Sequence, residues 1–115
     1  MKKYLVLLHE DLEKMKDLSP KEMQDLVNAH MAWAEKLAAA GHLIEGEGLE
    51  EKSIQISGKE SIIKDGTFLE VKEMIGGFYY LQAQDINQVI ELAKECPCHH
   101  WGGTTEIRPI MAYEE

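Results

Sequence analysis

Apolar residues are spaced along this chain in two rhythms, one of strands and one of helices. Residues 3–9 (Lys-Tyr-Leu-Val-Leu-Leu-His) form a short apolar run bounded by charge, the pattern of a central strand. Alternation sends Tyr4, Val6 and Leu8 to one face and Leu5, Leu7 and His9 to the other. A helical rhythm follows, in which Met23, Leu26, Val27, His30, Ala34 and Leu37 recur at three- and four-residue spacing. Ser19 is placed as N-cap, Pro20 suits the first helical position, Glu22 completes a capping box and Gly41 ends the run. The spacing therefore predicts a helix over about residues 20–40, with His30 inside its apolar stripe.

Residues 43–49 read as a second strand, and residues 53–57 and 61–65 as a hairpin around Gly58-Lys59. Residues 67–76 are mixed and fit either a short helical turn or a structured loop. Residues 77–83 (Gly-Phe-Tyr-Tyr-Leu-Gln-Ala) are apolar or aromatic on both faces, as expected of another strand. Asp85 and Gln88 cap a second helix whose inner face is Ile86, Val89, Ile90 and Ala93, with Pro97 ending it. A last strand runs from about Thr104 to Met111, and Pro109 assigns it to a sheet edge. The order is strand, helix, strand, hairpin, strand, helix, strand. This is an α+β, ferredoxin-like arrangement: an antiparallel sheet with two helices on one face. The first strand and the 77–83 strand are apolar on their second face too, which predicts a homodimer covering it.

Composition narrows the function classes. A length of 115 residues, with 44% hydrophobic and 29% charged side chains, predicts one globular domain over residues 1–115. The net charge of −9 would repel a phosphate backbone or an anionic membrane, so neither nucleic acid nor membrane is an expected partner. The apolar start at Tyr4–Leu8 is broken by His9, Glu10 and Asp11 before a signal peptide is complete, which makes a cytoplasmic location the expectation.

Chemistry-bearing residues are few. Burial among Val27, Met31, Ala34 and Leu37 would hold His30 neutral, and a carboxylate partner would make it a general base. The bland alternative is a histidine whose ring nitrogens only satisfy a backbone carbonyl and a water. Asp65, ending a strand, is the candidate carboxylate; the alternative places it in a turn beside a solvated charged patch. His9 falls at a strand end and could line a cleft with His30. Lys72 and Arg108 are candidate anchors for an anionic group, although Arg108 can equally pair with Glu106 two residues away. Cys96-Pro97-Cys98-His99-His100 carries metal-ligand residue types, but the spacing is wrong for zinc and no second ligand pair exists elsewhere. It reads as a helix-end loop with free thiols, so neither a metal nor an organic cofactor is expected.

Several segments together carry a family resemblance: His30, Ala34, Leu37 and Ala40-Gly41; Gly46-Glu47-Gly48-Leu49; Asp65-Gly66-Thr67-Phe68; Gly76-Gly77-Phe78-Tyr79; Cys96-Pro97; and Glu106 through Met111. In order and spacing the chain resembles the YCII-related family of DGPF type over about residues 3–111. Thr67 departs from the pattern, standing where the motif has proline. The resemblance implies ferredoxin-like subunits paired into a dimeric α/β barrel. It also implies a histidine–aspartate pair, which maps to His30 and Asp65. Some relatives resemble muconolactone isomerases and a dehydrochlorinase, and others are fused to sigma factors. Two functions follow: an acid/base enzyme performing isomerisation, lactone or elimination chemistry without a metal on a small organic substrate, or a non-catalytic small-molecule-binding or regulatory domain.

Overall fold

The computed structural model describes residues 1–65 and 73–112. The chain begins with strand β1 (Lys2–Asp11), helix α1 (Leu12–Lys16) and helix α2 (Pro20–Ala39). Strand β2 (Leu43–Gly48), the ribbon strands β3 (Ile54–Ser57) and β4 (Ile62–Asp65), and strand β5 (Glu73–Ala83) follow. Helix α3 (Ile86–Ala93), a 3-10 turn at Pro97–Trp101 and strand β6 (Thr104–Pro109) complete it. The four long strands form one antiparallel sheet in the order β2-β5-β1-β6, while β3 and β4 pair only with each other. The α+β class and the antiparallel sheet are as the patterning predicts.

Local chemistry explains the element ends. Ser19 accepts from the Glu22 amide and the Glu22 side chain returns to the Ser19 amide, so the capping box closes as expected. Asp85 accepts from the Gln88 amide at the head of α3. Helix α1 lacks an apolar periodicity to announce it; Asp11, accepting from the Glu13 and Lys14 amides, starts it. The mixed region 67–76 resolves in part: residues 73–76 open β5, and residues 66–72 lie outside the described residues. Pro109 ends β6, which is an edge strand, where a missing N–H costs the ladder nothing.

The core forms on one face of the sheet. Tyr4, Val6 and Leu8 of β1 and Tyr79, Leu81 and Ala83 of β5 pack beneath Trp33 and Leu37 of α2, Val89 of α3, and Cys96 and Cys98. Trp33 meets Tyr79 edge-on at 4.7 Å between ring centres. The α2 stripe is buried less evenly than its spacing predicts. Leu26, Trp33 and Leu37 are buried, but Met23 is 38% and Val27 44% exposed. These two border an open space between helix and sheet.

The other face of the sheet has no cover among the described residues. Leu5 lies opposite Tyr80 and Leu7 opposite Phe78, and all four are only half-buried. The β3–β4 ribbon stands apart from both layers, with Ile54, Ile56, Ile62 and Ile63 all exposed. The radius of gyration is 15.9 Å, against about 13 Å for a compact chain of this length.

Candidate functional site

A cavity of about 470 Å3 opens between α2 and the β2–β5 edge of the sheet. That volume is within the range of pockets that enclose a small organic ligand. Leu8, Leu26, Val27, Ala34, Leu43 and the methionines Met15, Met23 and Met31 make its wall largely apolar. Among the described residues that line it, His30 from α2, Tyr79 from β5 and Glu10 from β1 turn polar side chains inward, whereas Glu47 of β2 lies opposite Phe78 and so faces the other side of the sheet.

Each of the three is positioned by the element that carries it. His30 lies one turn before Ala34 on the sheet-facing side of α2, so its ring reaches the strands. Its Nδ1 lies 2.8 Å from the Tyr79 hydroxyl, and the two rings are nearly parallel, at 14°, with centres 6.0 Å apart. Tyr79 shares strand parity with Leu81 and Ala83, so its ring is core and its hydroxyl is the polar tip. Glu10 continues the parity of Tyr4, Val6 and Leu8, and so turns inward at the end of β1. A register shift at Leu8/His9 leaves Gly76 unpaired across from β1. A Cβ at Gly76 would collide with the Glu10 carboxyl, so glycine there lets the carboxyl lie against the strand.

Burial sets the protonation of this trio. It lowers the His30 pKa and so favours the neutral imidazole. It pushes the Glu10 carboxyl above the ordinary carboxylate range, towards the protonated acid. It raises Tyr79 far above the usual phenol value, with the neighbouring Cys96 and Cys98 adding to the effect, so the hydroxyl keeps its proton. A neutral base, a protonated phenol and a carboxyl biased towards its acid form thus face one apolar space, a combination suited to moving protons on a bound molecule.

The other expected site residues sit elsewhere. Asp65 is exposed on β4 opposite Ile54 and does not line the cavity; the Nδ1 partner of His30 is Tyr79, where an aspartate was expected. His9 and Arg108 lie on the opposite face of the sheet. There His9 Nε2 is 2.7 Å from Glu106 Oε1, and Arg108 Nη1 is 3.8 Å from Glu106 Oε2. Arg108 thus takes the pairing its sequence neighbour offered. Lys72 lies outside the described residues. Of the Cys96–His100 segment, the two thiols are buried, while His99 is exposed and 3.0 Å from the Thr105 hydroxyl. Glu10 and Tyr79 were not among the expected site residues, although strand parity was a usable signal for both: each is a polar-tipped residue at an inward-facing position.

Comparison with known proteins places the chain more widely. The family model of the YCII-related domain matches residues 3–114. An uncharacterised protein of Rhizobium meliloti (strain 1021) is 27% identical over 106 residues, 91% of this chain and 79% of that protein. Among solved structures, the fold is shared with 5-chloro-2-hydroxyhydroquinone dehydrochlorinase of Burkholderia phenoliruptrix AC1100 in complex with 2,5-dihydroxybenzoquinone. That match has a TM-score of 0.50 at 20% identity and covers 92% of this chain and 90% of the other. At such identity the likeness carries the fold and not the chemistry.

Proposed function

The chain belongs to the YCII-related domain family, and on that footing we propose that it is an acid/base catalyst acting on a small cyclic organic molecule held between α2 and the sheet. The observation that carries this reading is the convergence of His30, Tyr79 and Glu10 on one apolar cavity, with His30 Nδ1 2.8 Å from the Tyr79 hydroxyl. With its Nδ1–H donating to the Tyr79 oxygen, His30 keeps the Nε2 lone pair as the base. The base removes a proton from the substrate, and the Glu10 carboxyl returns one to an oxygen or leaving group at another position. Isomerisation, lactone opening and elimination all reduce to that pair of transfers. A dehydrochlorinase with the same fold binds a dihydroxybenzoquinone, which supports a ring of that size and polarity as the first class to test.

The test is a thermal-shift and turnover screen of small hydroxy-, keto- and lactone-bearing rings, beginning with 2,5-dihydroxybenzoquinone, on wild type and His30→Asn. A ligand in excess raises the melting temperature by mass action. Substrates transformed by wild type are expected to lose about 10²- to 10⁴-fold in rate on His30→Asn. Undiminished turnover by that variant would sink the assignment of the base. Binding without any turnover by wild type would reassign the cavity to ligand capture.

We further propose that the uncovered sheet face pairs with a second copy of the chain. Leu5, Leu7, Phe78 and Tyr80 form its apolar middle, with Glu45 and Glu47 on the β2 edge and Arg108 beside Glu106 on the β6 edge. A twofold axis parallel to the strands would set the acidic edge of one copy over the Arg108 edge of the other. Sedimentation velocity is expected to show a dimer at micromolar concentration; a monomer throughout that range would rule it out.

A further inference from the structure

The two cysteines of the chain play no part in the proton transfers, yet their placement is specific. Cys96 is extended at φ −62° and ψ 126°, and Pro97 then opens the 3-10 turn. This geometry brings the Cys98 Sγ to 3.5 Å from the Cys96 Sγ, with both residues only 3% exposed. A covalent sulfur–sulfur bond is about 2.05 Å long, so bonding requires an approach of only about 1.5 Å. The backbone between the thiols is a two-peptide turn with a proline at its centre, and it already holds both side chains on one side.

We propose that Cys96 and Cys98 are a dithiol site that closes reversibly to an intramolecular disulfide when a small peroxide oxidises it. The thiols share a hydrogen bond that lowers the Cys96 pKa and raises that of Cys98, with burial adding to the rise at Cys98. One sulfur is therefore biased to act as thiolate while the other holds a proton. The Cys96 thiolate attacks one oxygen of hydrogen peroxide, the O–O bond breaks, and the departing hydroxide takes the Cys98 proton to become water. The Cys98 thiolate then attacks Cys96 Sγ, the S–O bond of the sulfenic acid breaks, and the second hydroxide leaves and is protonated to water. Two thiols are oxidised by two electrons, and one peroxide is reduced to two waters.

Access selects the oxidant. Among the described residues, a void of about 10 Å3, about the size of one water, lies beside Cys98, bordered by Glu10, Met15 and Trp101, and the Cys96 Sγ is 3.5 Å from the Cys98 Sγ. Hydrogen peroxide, with two heavy atoms, needs far less opening to reach the thiols than a disulfide such as oxidised glutathione, for which the surrounding turn must move aside. Oxidation by peroxide is thus expected to outpace oxidation by an equal concentration of oxidised glutathione.

The test uses the purified full chain, fully reduced and then exposed to a small molar excess of hydrogen peroxide. The sample is denatured directly into iodoacetamide and measured by intact and peptide mass spectrometry. The expected result is a mass lower by two hydrogens, no alkylation at either cysteine, and full recovery of both thiols with dithiothreitol. Cys96→Ser and Cys98→Ser, checked for wild-type melting, are expected to give no such species. Overturning results are oxygen added at one cysteine while the other still alkylates, or both cysteines alkylating fully while Met15, Met23 or Met31 gain oxygen. The wild-type measurement decides the matter even if a serine variant fails to fold, and it is independent of any turnover at His30.

Discussion

Two adjacent glycines, Gly76 and Gly77, look interchangeable in sequence but face different neighbours. A Cβ on Gly76 meets the carboxyl end of Glu10, a flexible tip that can move away. A Cβ on Gly77 comes within 2.9 Å of the Glu47 carbonyl oxygen, which belongs to a paired strand and cannot. Gly76→Ala is therefore expected to leave the melting temperature almost unchanged while shifting the pH profile of the site through a displaced Glu10. Gly77→Ala is expected to lower the melting temperature by several degrees; thermal melts of the two variants side by side check the contrast. His30 and Glu10 also give pH-dependent stability of opposite sign. The His30 pKa is below its ordinary 6.5 in the folded chain, so the unfolded chain takes up the proton first and stability falls as pH drops below about 6.5. The Glu10 pKa is above its ordinary 4.5, so the unfolded chain ionises first and stability falls as pH rises above about 4.5. His30→Asn should flatten the acid-side loss, and Glu10→Gln should raise the melting temperature at pH 7. Melting curves between pH 4 and 8, with an NMR titration of the His30 ring, test both signs.

At the scale of elements, α2 carries the site and its start is set by the capping box. Ser19→Ala removes the acceptor for the Glu22 amide and is expected to cost about 1 kcal/mol in a denaturant titration. The signals that define α2 were fully legible: a cap, a proline at the first position and a stripe at helical spacing. Less was legible where spacing carries no message. Helix α1 rests on Asp11 and one short turn without a buried residue, so no apolar rhythm precedes it. The opening of β5 was hidden because Glu73-Met74-Ile75-Gly76-Gly77 does not alternate. The irregularity is the register shift opposite Leu8 and His9, which leaves Gly76 against the Glu10 carboxyl in the lining of the cavity.

For the whole molecule, the sheet has one face under helices and one face without cover among the described residues. If a second copy covers that face, a charge at its centre should separate the pair without touching the cavity. Leu7→Glu is expected to shift sedimentation from dimer to monomer while the monomer keeps its far-ultraviolet circular dichroism, since Leu7 is outside the core. A dimer that persists with Leu7→Glu would move the interface elsewhere.

Sequence by itself determined the order of the strands and of the two longer helices, the α+β class, the two-faced character of β1 and β5 and the inward position of His30. These are consequences of local spacing, because alternation and helical periodicity are properties of neighbouring residues. The tertiary structure alone decided the company His30 keeps. Tyr79 lies 49 residues away on another element, and Glu10 reaches the same cavity only because β1 and β5 pair in one particular register. Asp65 was expected beside His30 because it ends a strand, but β4 pairs with β3 outside the main sheet, and nothing in the spacing of residues 61–65 records which sheet a strand joins.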